Sequence, residues 1–144
     1  MAQALYDLKI EPRSIIVLND DVWYEFNAFR CKLTDIPHDV PNVAIHLEIG
    51  DKKLIYATDT SKIEHINARN YDYYLVEGNY KTEELEERKE RKLKNGEFVI
   101  EDRIANSHLS YEQCVDFFMK NAKEDSILEV MHKHQDKRGE EKFE

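Results

Sequence analysis

The stretch from Val43 to Asp59, VAIHLEIGDKKLIYATD, limits most strongly what this chain can fold into. Successive side chains of a strand point to opposite faces, so Val43, Ile45, Leu47 and Ile49 share one face and Ala44, His46 and Glu48 the other. Gly50-Asp51 is a turn signal, and KKLIYATD brings the chain back. The pattern predicts a β-hairpin that ends in an acid. A similar pattern precedes it. Val22, Tyr24 and Phe26 alternate, Asn27-Ala28 can turn, and Phe29, Cys31 and Leu33 alternate back. SIIVLND, residues 14–20, predicts one more strand, and PHDVPN, bounded by Pro37 and Pro41, predicts a loop.

The rest of the chain changes character. TSKIEHINA predicts a short helix, and Tyr73–Val76 a strand. KTEELEERKERKLKN is helical and charged, with Glu84/Arg88 and Glu87/Arg91 at favourable i,i+4 spacing. Leu85 and Leu93 are its only leucines, so most of it should face water. In SYEQCVDFFMKNA, Ser110 and Gln113 form a capping-box pattern, and Cys114, Val115, Phe118 and Ala122 an apolar face. SILEVMH predicts the last strand, and residues 135–144 read as a charged tail. There is no internal repeat. Antiparallel strands followed by strand–helix alternation predict a mixed α/β fold, a largely antiparallel sheet with helices.

Composition bounds the function. A chain of 144 residues is one domain's length, and a formal net charge of −9 argues against a broad basic surface for nucleic acid. It leaves open a nucleotide or nucleic-acid substrate held through metal ions, which bring their own positive charge. No apolar run approaches the ~20 residues that cross a bilayer, so no membrane association is expected. The opening MAQALYDLKIEPR lacks the apolar core of a signal peptide. Cys31 and Cys114 are isolated, which suggests reduced thiols packed in a core and a cytoplasmic protein.

Polar residues stand at the ends of several apolar runs. His38 follows the first hairpin, Asp59 ends LIYATD, Glu77 ends YYLVE and His132 ends ILEVMH. His108 lies two residues before the capped helix. Each has an ordinary structural reading. Asp59 can cap the helix predicted after it, and a histidine or glutamate after a strand can be a surface or hydrogen-bonded group. Together they are imidazoles and carboxylates at rigid strand ends, the donor set that zinc or manganese takes in hydrolytic sites. His46, His65 and His134 carry only structural readings.

The segments PHDVPNVAIHLEIGDKKLIYATDT, YYLVEGNY, SHLSYEQ and VMHKH resemble the second half of the metallo-β-lactamase-fold hydrolases over roughly residues 22–134. The likeness is to a phage and bacterial YycJ-like branch and, more distantly, to the Z-type transfer-RNA endonucleases. The resemblance implies the C-terminal half of an αβ/βα sandwich, a partial domain over residues 1–134 followed by the tail. It implies that His38, Asp59 and His132 are metal ligands, with Asp59 bridging two zinc or manganese ions. Glu77 and His108 match a catalytic pair of the phosphodiesterase branches. There the glutamate orients the imidazole, and the imidazole assists the phosphate or its leaving oxygen. A phage-encoded member would work in the host cytoplasm.

The chain departs from that pattern in one respect. The family's histidine-x-histidine-x-aspartate-histidine run is absent from the sequence. Carried over, each metal keeps two protein ligands. The resemblance then implies an N-terminal half-protein that completes the site, or self-association that brings two half-sites together, or a catalytically inactive relative that binds. In each case one face or edge of the sheet should lack its usual cover.

Overall fold

A computed structural model gives the fold and describes residues 16–133. The elements in chain order are β1 (Tyr24–Glu25), β2 (Arg30–Ile36), β3 (Asn42–Ile49), β4 (Lys52–Ala57) and β5 (Tyr73–Glu77). Then come α1 (Thr82–Asn95), α2 (Glu101–Ser107), α3 (Tyr111–Asn121) and β6 (Ile127–Met131). The described strands make one sheet in sequence order, β1-β2-β3-β4-β5-β6. It is antiparallel through β4, where Leu47 lies opposite Leu54, and parallel from β4 through β6. Parallel neighbours need a crossover, which residues 58–72 and then the three helices supply.

The sheet buries one face. Ile36, Ala44, Ile55, Ala57, Tyr74 and Val76 line it, covered by Ile63, Ile66 and Ala68 and by Cys114 and Phe117 of α3. The hairpin alternation is as expected, but the core lies on the Ala44/His46 side of β3. His46 is buried there in a polar chain. Thr34 donates to Asp21, so the Thr34 oxygen, 3.3 Å from His46 Nε2, is left to accept. His46 Nδ1 lies 3.0 Å from the Tyr71 hydroxyl and accepts from it. Burial pushes the imidazole down to about 4, so it is neutral at ordinary pH. The opposite face, with Leu33, Val43, Ile45, Leu47, Leu54, Tyr56 and Leu75, is half-buried.

Four sequence expectations change. Residues 16–20 form no strand: Ile16 and Val17 are exposed, and the chain turns at Asp20–Asp21. Residues 60–68 form no helix. Thr60 Oγ1 lies within hydrogen-bond reach of the carbonyls of Pro37 and Lys62, at 3.1 and 2.9 Å, and Ile63, Ile66 and Ala68 dock into the core as an irregular segment. Arg88 leaves Glu84 for the buried Glu101, 2.9 Å away, and Lys92 joins it at 2.8 Å. These pairs tie α1 to α2, a helix the sequence pattern did not mark. On α3 the capping box of Ser110 and Gln113 is present, but Phe117 rather than Val115 is buried beside Cys114. Both cysteines are free and buried, as expected. No helix among the described residues is long and apolar enough to cross a membrane. His134 and residues 135–144 lie outside the described residues, as does the start of the expected 14–20 strand.

Candidate metal centre

The parallel half of the sheet sends its strand ends to one rim. Glu77 is the last residue of β5, His132 follows β6, and Asp59 stands two residues beyond β4. Gly78 lets β5 pass close under its neighbours: a Cβ there would meet Val130 Cγ1 at 2.6 Å. Asp59 and His132 both have left-handed backbones, with φ of 55° and 51°. Asn42 secures the first of these turns by donating Nδ2 to the carbonyls of Thr58 and Asp59, at 2.7 and 2.9 Å. Asn79 secures the second by donating to the His132 carbonyl at 3.1 Å. Left-handed backbone is costly for a non-glycine residue, and such residues cluster at functional sites.

No helix follows Asp59, so it caps nothing. Its Oδ1 lies 2.9 Å from His132 Nδ1. The same Nδ1 is 3.3 Å from Glu77 Oε1, which in turn holds His108 Nδ1 at 2.5 Å. Each of Asp59, Glu77, His108 and His132 offers one donor atom, all within 4.8 Å of one another. Glu77 is fully buried, and Thr60 N–H donates to its other oxygen at 2.9 Å. Burial pushes its carboxyl up to about 7, against the pull of the Thr60 amide and the nearby imidazoles. His108 is held below the usual imidazole range by burial and by His38, with Asp59 opposing.

His38 stands beside this group without joining it. Its ring lies 5.2 Å from that of His108, and Nδ1 is 3.0 Å from the Ser107 carbonyl. A carbonyl only accepts, so Nδ1 carries the hydrogen and Nε2 keeps its lone pair. His38, Asp59, His108 and His132 line one cleft of about 360 Å³. Its far wall is Ile100 and Ile104, with Arg103 between them. Arg103 donates from Nε and Nη2 to Asp39, at 3.2 and 2.8 Å, and Ser107 Oγ donates to the same carboxylate. Hydrogen bonds from Arg103 and Ser107 hold the Asp39 carboxyl below its usual range. Nothing in the sequence pattern marks this wall. Asp39 adjoins His38, but Arg103 and both isoleucines sit on or before the unmarked helix α2.

The fold as a whole is similar to those of known proteins. The solved metallo-β-lactamase fold protein YhfI from Bacillus subtilis superposes with a TM-score of 0.63 at 14% identity, over 93% of this chain and 49% of that one. The human short-form tRNase Z superposes with a TM-score of 0.55 at 15% identity, over 78% of this chain and 39% of that one.

The fold is a metallo-β-lactamase fold.

The chain thus spans about half the length of the first of these structures and about two fifths of the second. No protein-family model matches the sequence, and a search of curated proteins finds no match. The donor set fits a divalent metal on chemical grounds: two imidazoles and two carboxylates, one acid buried, with their donor atoms converging.

Proposed function

We propose that this chain carries half of a metal-dependent hydrolase site of the metallo-β-lactamase type, directed at phosphodiesters of a nucleotide or nucleic acid. The observation that carries this is the convergence of Asp59, Glu77, His108 and His132, from four separate places in the sequence, at one rim of the sheet. In this reading Asp59 and His132 hold zinc or manganese, with His38 Nε2 as a donor from across the cleft. A bound divalent ion polarises a phosphoryl oxygen and lowers the pKa of a bound water. The chain's own residues do the rest. Glu77 fixes His108 through Nδ1, which leaves Nε2 to exchange a proton with the leaving oxygen. Arg103, held by Asp39, places a cation on the cleft wall. An N-terminal half-protein of the same fold family would supply the missing ligands. The YycJ-like branch, a phage origin and a cytoplasmic setting belong to the same reading.

A second reading is favoured by one observation, the absence of a histidine-x-histidine-x-aspartate-histidine run. The half-fold would then bind an ion or a partner without turnover. Elemental analysis for zinc and manganese, and hydrolysis of bis(p-nitrophenyl) phosphate by wild type and Asp59→Asn, separate the two. Metal-dependent turnover lost in the variant supports the hydrolase. Bound metal without turnover supports the second reading. Protein that takes up no metal sinks both metal-based readings for this chain.

A further inference from the structure

We infer that the cleft wall of Ile100, Arg103 and Ile104 is the seat of a nucleobase, so that the substrate is held by its ring as well as by its phosphate. The choice of a nucleotide rests on the phosphodiester reading above. The choice of the ring rests on the wall.

Ile100, Arg103, Ile104 and Ser107 follow one another at helical i, i+3, i+4, i+7 spacing, so they share one face of α2 and its N-cap. All four line the cleft, across from Asp59, His108 and His132. The helix is held from elsewhere. Glu101 is buried and paired with Arg88 and Lys92 of α1, at 2.9 and 2.8 Å. At the other end, His38 Nδ1 lies 3.0 Å from the Ser107 carbonyl. The wall is thus fixed relative to the candidate metal donors. Isoleucine is among the residues most often buried, yet Ile100 stands 42% exposed at this cleft. Two isoleucines offer nothing to a phosphate. They offer contact to an uncharged part of the same ligand.

Charge decides which part that is. Arg103 is the only lysine or arginine among the residues lining the cleft, and it spends Nε and Nη2 on Asp39. Ser107 Oγ donates to the other Asp39 oxygen at 3.0 Å. These bonds keep the Asp39 carboxyl ionised, so the pair sums to no net charge. A second phosphate would meet the Asp39 carboxylate and find no unpaired arginine or lysine. What remains is a guanidinium plane with its other N–H donors, and Asp39 Oδ1, which has a lone pair beyond the one Ser107 uses. A nucleobase uses all of these. Its face stacks on the guanidinium, its edge carries both donors and acceptors, and its ring packs on the isoleucines. An alkyl group would use the isoleucines alone. The cleft, at about 360 Å³, has room for more than a phosphate.

Titration of the ¹⁵N-labelled full chain, zinc-free and with zinc added, tests this with two probes. Adenosine 5′-monophosphate carries a base, and ribose 5-phosphate is the same ligand without one. The nucleotide should bind about 5-fold tighter or more, and only it should shift the amides of residues 100–104. Arg103→Lys keeps the charge but removes the plane, and it should abolish most of that preference. Ile100→Ser, at an exposed position, should lower it independently, and decides should Arg103→Lys disturb α2. A nucleotide that binds no tighter than ribose 5-phosphate, with zinc or without, overturns the base site. So does a preference that neither variant alters. Zinc uptake by the same samples keeps the two readings apart. Zinc taken up with no preference for the nucleotide removes the base site and leaves the metal site standing. A preference lost in both variants, in a chain that takes up no zinc, supports the base site and removes the hydrolase reading.

Discussion

Glu77 Oε1 lies 2.5 Å from His108 Nδ1, so a fully buried carboxylate at the end of β5 fixes an imidazole that follows α2. The contact spans the whole of α1 and α2 in sequence. It joins the rigid sheet to a short loop that the Ser110 capping box holds from the other side. The same oxygen lies 3.3 Å from Nδ1 of the proposed ligand His132, so Glu77 positions a ligand ring as well as His108.

Glu77→Gln keeps the shape of the side chain and removes its charge. Affinity for zinc or manganese should fall about 10–100-fold, the usual effect of losing a partner that orients a ligand. Titration calorimetry on wild type and variant measures it. Unchanged affinity would remove Glu77 from the site.

Asp59→Asn should separate binding from stability. Asparagine tolerates the left-handed backbone at φ 55°, and no helix depends on Asp59 as a cap. Unfolding free energy in urea should change by less than about 0.5 kcal/mol, whereas metal uptake should be lost. Asp59→Ala should cost about 1 kcal/mol more, because alanine carries the backbone penalty.

Gly78→Ala should destabilise the protein by about 1–3 kcal/mol through overpacking. The added methyl would sit 2.6 Å from Val130 Cγ1. Val130→Ala in the same chain should recover part of the loss. A double-mutant cycle from denaturant unfolding reads the coupling.

Stability should depend on pH through groups of opposite sign, His46 and Glu77 among them. The folded state holds His46 down at about 4, below the ordinary 6.5, so its contribution is complete above pH 6.5 and is lost as pH falls towards 4. Glu77 in metal-free protein is raised to about 7 from 4.5, so its contribution is present below 4.5 and lost as pH rises through 7. Gln does not titrate, so the E77Q protein lacks the glutamate's share. Its melting temperature should fall between pH 7 and 4, and the fall should shrink in the double variant E77Q/H46Q. Equal slopes in the two would remove His46 as the cause.

Much of the sheet was legible in the sequence. The alternation from Val43 to Asp59 and the turn at Gly50-Asp51 fix a hairpin locally, because strand period and turn chemistry need no distant partner. The Ser110/Gln113 box fixes the start of α3 for the same reason. What failed failed for want of a neighbour. Ile16 and Val17 look like strand residues but have no strand to pair with. Residues 60–68 look helical, but the core wanted Ile63, Ile66 and Ala68 at positions one helix face does not offer. The core side of β3 likewise ran against its local pattern: the more apolar face of Val43, Ile45 and Leu47 is only half-buried, and the face carrying Ala44 and His46 is the one packed into the core.

The site divides in the same way. The sequence determined that His38, Asp59, Glu77 and His132 follow or end apolar strands, because strand ends are marked by local alternation. Only the tertiary structure decided which of them meet. Parallel pairing of β4, β5 and β6 brings three strand ends to one rim, so Asp59, Glu77 and His132 converge there. His108 reaches the group because Glu77 accepts it, and His38 stays one ring away because the Ser107 carbonyl claims its Nδ1. Distances of this kind depend on crossovers of many residues, and no local pattern encodes them.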